Sequence, residues 1–230
     1  MTERRVLGSL VVLSLALHLC AVYFGPAWQM YLLKPLTTTL VIPLAAATAL
    51  RGECPSARYA SLILAGLACS LVGDVFLMLP SDRFVTGLAA FLVAHVCFAG
   101  AFMATSGLRT TPQMAAPYAT YLVVLLVVLL PRAGRMALLM AIYAVALVGM
   151  AWQAAERWNA VCTGAAARAA CGGILFVLSD SALAVDRFAR PFHAASLVVM
   201  MTYILAVWLI ARSLDGRSGR PAAARLRAEG

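Results

Sequence analysis

Two carboxylates stand inside otherwise apolar runs of this sequence. Asp74 lies in Gly66-Leu67-Ala68-Cys69-Ser70-Leu71-Val72-Gly73-Asp74-Val75-Phe76-Leu77-Met78-Leu79, and Asp180 ends Gly172-Gly173-Ile174-Leu175-Phe176-Val177-Leu178-Ser179-Asp180. In each run a glycine, Gly66 or Gly172, precedes the aspartate by eight positions. A charge deep in a membrane-length helix costs about 2.5 to 3.5 kcal/mol on insertion scales, so it is kept where it is paired, hydrated or used. Two carboxyls sharing a low-dielectric site are pushed apart in protonation, one serving as acid and the other as base or electrostatic stabiliser. That arrangement suits acid-catalysed cleavage through an oxocarbenium-like cation. His95 and Lys34 are the other groups of chemical interest in apolar surroundings.

Each has a plainer reading beside the chemical one. An isolated aspartate can be a structural carboxylate bonded to a neighbouring helix, a histidine on an apolar face can be a satisfied interior residue, and a lysine opening a helix can snorkel to the interface. The two matched aspartates weigh against the plain reading for Asp74. For Lys34 the alternative is a phosphate contact or a partner for an aspartate.

Other chemistries leave no mark. No phosphate loop, GxSxG elbow, HExxH or dinucleotide fingerprint appears, and no serine stands in a recognisable nucleophile turn. The six cysteines form no CxxC pair, so neither a zinc site nor a disulfide framework is indicated. A hard divalent cation between Asp74, Asp180 and His95 is a weaker alternative; the expectation is no metal and no cofactor.

The elements that must position these groups follow from composition. The chain has 230 residues, 63% hydrophobic and 12% charged, the balance of an all-α, polytopic membrane protein. Its net charge of +9 comes from arginines at the ends of apolar runs and near the C-terminus, which reads as topology and lipid contact rather than nucleic-acid binding. With about 20 apolar residues needed to cross the roughly 30 Å hydrocarbon layer, about eight transmembrane helices are predicted. They run from Val6 to Phe24, Leu33 to Leu50, Tyr59 to Leu79, Phe84 to Thr105, Met114 to Leu130, Met136 to Ala155, Ala169 to Val185 and Phe192 to Arg212. Residues 1–212 make one transmembrane domain on this reading, and 213–230 a disordered basic tail.

Of the 18 Lys and Arg residues, six (Lys34, Arg83, Arg132, Arg135, Arg187 and Arg190) fall on one side of these spans and the other twelve on the opposite side. The richer side is cytoplasmic by the positive-inside rule, which places both termini there and requires an even number of spans. The third and seventh helices then run outward, so that Asp74, Asp180, Lys34 and the neighbouring loops gather in the outer half of the bilayer. Gly66, Ser70, Gly73 and Asp74 share one helical face, where small residues admit a neighbour closely. The equivalent stripe of Gly172, Gly173, Phe176 and Asp180 allows an internal duplication of four helices, although Lys34 has no counterpart in the second half.

These residues together resemble the YhhN-like lysoplasmalogenases. The resemblance rests on Lys34-Pro35-Leu36-Thr37, on Ser70-x-x-Gly73-Asp74 ending in Leu77-Met78-Leu79, on His95 and Tyr143, and on Gly173-x-x-Phe176-x-x-Ser179-Asp180-x-x-Leu183-Ala184. It implies an integral membrane hydrolase that cleaves the vinyl ether bond of a lysoplasmalogen to a fatty aldehyde and glycerophospho-ethanolamine or glycerophosphocholine. Asp74 and Asp180 map onto the proposed catalytic pair, with Lys34, Ser70, His95, Tyr143 and Ser179 as substrate contacts. The implied partners are a lysophospholipid substrate and membrane lipids; the richness of the chain in Ala and Arg adds the expectation of a bacterial inner membrane. The competing class is a transporter or flippase in which the carboxylates relay protons.

Overall fold

A computed structural model describes residues 2–25, 27–79 and 83–216, with the side chains of helix residues 2–7, 22–23, 27–28, 30–32 and 34 left out of the description. The described residues form eight α-helices: α1 (Thr2–Phe24), α2 (Ala27–Leu50), α3 (Ala57–Met78), α4 (Phe84–Ser106), α5 (Pro112–Ala133), α6 (Ala137–Val161), α7 (Gly164–Ala184) and α8 (Ala195–Arg212). A 3₁₀ turn, Gly134–Met136, joins α5 to α6, and a π turn, Val185–Ala189, follows α7. Among the described residues there is no strand. The all-helical expectation holds. Among the described residues, five helical stretches are long and apolar enough to cross a membrane: Ala57–Met78, Phe84–Ser106, Pro112–Val161, Gly164–Ala189 and Ala195–Arg212. The third of these contains both α5 and α6, while the apolar parts found in α1 and α2, Gly8–Ala21 and Pro35–Leu50, are shorter. The expected tail beyond Gly216 lies outside the described residues.

Helix ends differ from the hydropathy reading where polar residues join the helix. α2 begins at Ala27, so Lys34 is within the helix rather than at its start, and Pro35 and Pro43 are accommodated inside it. α6 continues to Val161, and α7 begins after Thr163, whose hydroxyl caps it by accepting from the Ala166 amide at 3.2 Å. Arg157 and Arg168, expected between helices, are therefore helical. Arg157 is only 2% exposed and lies 4.6 Å over the Tyr59 ring, with Nε donating to Thr105 Oγ1 at 2.8 Å. Beside it, the buried Glu156 accepts from the Thr111 amide and hydroxyl at the start of α5, at 2.6 and 2.8 Å, and from Trp152 Nε1 at 3.1 Å. Such pairing lets charges sit in a bundle end, where an unpaired charge would be costly.

In the bundle, α4 packs between α3 and α6, and α7 packs between α6 and α8. The small residues of the carboxylate-bearing helices set these approaches. A Cβ on Gly66 would stand 2.4 Å from the Phe98 ring of α4, and one on Gly172 would stand 3.0 Å from the Ala206 carbonyl of α8. At the first position the missing side chain admits an aromatic ring, at the second a helix backbone. The centre so formed is aromatic: Phe176 meets Phe91, Phe98 and Tyr203 with ring centroids 5.5 to 6.2 Å apart. The outer surface carries exposed Val123, Val127, Leu138 and Val145, as a face turned to lipid requires.

Candidate active site

Asp180 sits near the end of α7, four residues after Phe176 and therefore on the same inward face. Its carboxylate Oδ2 accepts a short hydrogen bond from the Tyr143 hydroxyl of α6. His95 of α4 brings Nε2 to 3.6 Å from the same oxygen. That is beyond hydrogen-bond length, and neither ring nitrogen of His95 has a hydrogen-bond partner. The imidazole is fully buried, and its orientation is fixed by edge-on contacts with Tyr143 at 5.2 Å and Phe176 at 4.7 Å between centroids.

The Asp180 side chain keeps 10% exposure because it opens on a pocket between α4, α5, α6 and α7. Phe84, Leu88, Leu125, Leu129, Met140 and Leu147 form most of its wall, and the hydroxyls of Tyr143 and Ser181 are its other polar groups. Asp180 is the one charged residue in this lining. At one end of the pocket, Phe84 is covered by the Arg187 guanidinium, 4.6 Å from the ring centroid. The site is thus a hydrocarbon-lined cleft with one carboxylate in its wall and a cation at its rim.

Asp74 belongs to a second network. It is 1% exposed and does not line that pocket. Its Oδ2 accepts from Thr38 of α2 at 2.6 Å and from Tyr203 of α8 at 2.7 Å. The two networks meet through rings: Tyr203 packs on Phe176 at 5.5 Å, and Phe176 on His95. Charge-assisted bonds of this kind fix a buried carboxylate firmly, and here they tie α2, α3 and α8 together. Among the described residues no three His, Cys, Asp or Glu side chains form a group that could hold a metal ion.

Residues 29–214 match the YhhN family. The chain belongs to the YhhN family. It is 37% identical over 163 residues to lysoplasmalogenase TMEM86B of Homo sapiens, a match covering 69% of this chain and 66% of that protein, so just under two thirds of the human relative is spanned. The porcine TMEM86B lysoplasmalogenase of Sus scrofa is 36% identical, with 85% of this chain and 83% of the relative covered. The membrane protein YhhN of Escherichia coli O157:H7 is 29% identical, with coverage of 89% and 96%. No solved structure gives a significant match. With this membership and its long apolar helices, the chain is an integral membrane protein.

Not all the residues singled out in this YhhN-family sequence come together. Asp180, Tyr143 and His95 do. Ser70 is buried and donates to the Gly66 carbonyl of its own helix at 2.9 Å, and Ser179 donates to the Val199 carbonyl of α8 at 3.0 Å. Neither lines the pocket. The side chain of Lys34 lies outside the described residues. Sequence reasoning overlooked Thr38 as a partner of Asp74, although the Thr37-Thr38-Thr39 run in an apolar helix was a visible signal. Tyr203 was visible too, as the main polar group of the last helix, but nothing in one sequence pairs it with Asp74.

Proposed function

We propose that this chain is a membrane hydrolase that cleaves the vinyl ether bond of a lysoplasmalogen. The names of its relatives point to that reaction, and one observation supports it most directly: Asp180, bonded to Tyr143, is the one charged side chain lining a mostly apolar pocket. A single-chain lipid brings apolar surface to such a cleft, and its phosphate would meet Arg187 at the rim.

In this reading the Asp180 carboxyl, held by Tyr143, acts in its protonated form. It gives its proton to the outer vinyl carbon, leaving an oxocarbenium ion that the resulting carboxylate stabilises, a course akin to glycoside hydrolysis. One water adds to the cation and loses its proton to the carboxylate. The hemiacetal then collapses to a fatty aldehyde and the glycerophospho alcohol. His95, 3.6 Å from Asp180, stands where a small approach would let it exchange the proton. Asp74 is the second carboxylate of the pair; since it lies off the pocket, its part is to hold α2, α3 and α8 together and to set the field behind Phe176, while Asp180 meets the substrate.

The arrangement extends to topology. All eight helices are taken as spans of one domain over residues 1–212, with both termini cytoplasmic in a bacterial inner membrane, a reading supported by the uneven distribution of Lys and Arg. The test is aldehyde release from lysoplasmalogen by the purified full-length protein in proteoliposomes. Turnover by the wild type and its loss in a folded Asp180→Asn variant are expected. A wild type that releases no aldehyde would overturn the assignment.

A further inference from the structure

The pocket at Asp180 has a neighbour. A groove of about 660 Å³, its open side included, runs between α5 and α7 and is lined by Pro117, Tyr118, Tyr121, Ile174, Val177 and Leu178. α5 rests on α6 and on the π turn after α7, so the α5–α7 seam is left to side chains. Groove and pocket adjoin at one contact: Tyr121, which lines the groove, and Ser181, which lines the pocket, are hydrogen-bonded at 2.7 Å. The same helix faces continue through both spaces. Tyr118, Tyr121, Leu125 and Leu129 follow one another at three- and four-residue steps on α5, as do Ile174, Leu178 and Ser181 on α7.

We propose that this groove binds the hydrocarbon chain of a single-chain lipid whose ether lies at Asp180 and whose polar end extends beyond it toward Arg187. The inference rests on the reading above for the reaction, and on the order of groups along α7 for the site. At about 1.5 Å per residue, Ile174 and Leu178 precede Asp180 by roughly 9 and 3 Å along the helix axis. Arg187 follows it, at the far rim, over Phe84. The helix therefore presents apolar groove, carboxylate and cation in sequence. A lysolipid carries hydrocarbon chain, ether and phosphate in the same sequence. Only one orientation matches, with the chain end toward the start of α7. The groove is apolar except for the hydroxyls of Tyr118 and Tyr121, as a site for methylenes requires.

The test uses the full-length protein in proteoliposomes and a lysophosphatidylethanolamine carrying a diazirine at the end of its chain. Photolysis is expected to label α5 and α7 around Tyr118 and Ile174–Leu178, with the label displaced by excess alkyl lysophospholipid. Ile174→Trp and Leu178→Trp fill the groove at positions 46% and 47% exposed, where the fold has room for the larger ring. Each is expected to cut this labelling and to lower kcat/KM for a long-chain lysoplasmalogen about tenfold, the scale on which apolar pockets discriminate. The loss should be smaller for a short-chain vinyl ether, whose chain does not reach the filled part of the groove. Label on other helices, or long- and short-chain substrates affected alike, would overturn the proposal. Displaceable label in the groove of a protein that hydrolyses no vinyl ether would sustain the chain site while removing the reaction.

Discussion

The Tyr203 hydroxyl donates to Asp74 Oδ2 at 2.7 Å across 129 residues of chain. The bond joins the last helix to the third, and the Tyr203 ring meanwhile packs edge-on against Phe91 and Phe176. Tyr203→Phe removes the donor and keeps the ring. A hydrogen bond to a buried charged group is worth about 1.5 to 3 kcal/mol, so the variant should lose about that much stability, read as a lower midpoint in thermal or denaturant unfolding in detergent. The loss should be smaller in an Asp74→Asn background, where the acceptor is no longer charged; equal losses in both backgrounds would separate Tyr203 from Asp74.

At the pocket, Asp180→Asn should cost about 10²- to 10⁴-fold in kcat, the usual contribution of a positioned acid or base. Tyr143→Phe keeps Asp180 and loses only its donor, so a smaller fall in kcat with little change in KM is expected. Aldehyde release under saturating lysoplasmalogen measures both.

His95→Phe tests whether the imidazole does more than fill space. The replacement keeps an aromatic edge against Tyr143 and Phe176 while removing two buried nitrogens that have no hydrogen-bond partner. Leaving buried polar atoms unbonded costs about 1 to 3 kcal/mol, so the variant should be as stable as the wild type or more so. Its kcat should nevertheless fall. Unchanged turnover would make His95 a packing residue.

Gly66→Leu should destabilise by about 1 to 3 kcal/mol, the usual effect of overpacking, because even a Cβ would come within 2.4 Å of the Phe98 ring. Gly149 has nothing within 4 Å of the corresponding position. Gly149→Ala is therefore the control, and its unfolding midpoint should not fall.

Glu156→Ala removes the acceptor for the Thr111 amide and hydroxyl and for Trp152. It should lower the unfolding midpoint by an amount corresponding to about 1 to 3 kcal/mol. If the bundle end is separate from the pocket, turnover by the folded fraction should be unchanged.

Much of this protein was legible in its sequence for one physical reason: a charge among membrane-length apolar residues is expensive enough to be visible without a structure. Asp74 and Asp180 therefore stood out, and the glycines eight residues before them marked the faces on which α4 and α8 pack. Composition alone gave the all-helical architecture. The helix ends were less legible, because hydropathy stops at the first polar cluster whereas the backbone stops where its caps allow; Arg157 and Arg168 sit within their helices and bond inside the bundle, Arg157 to Thr105 and Arg168 to the Arg212 and Asp215 carbonyls.

What only the tertiary structure decided is the inequality of the two aspartates. Their sequence surroundings match, but one meets the hydroxyls of Thr38 and Tyr203 and is sealed, while the other meets Tyr143 and His95 and opens on a pocket. Solvent access and partner choice belong to the neighbouring helices, whose relative rotation is set by rings and glycines far apart in the chain. Periodicity places a side chain on a face of its own helix. Packing alone determines what that face meets.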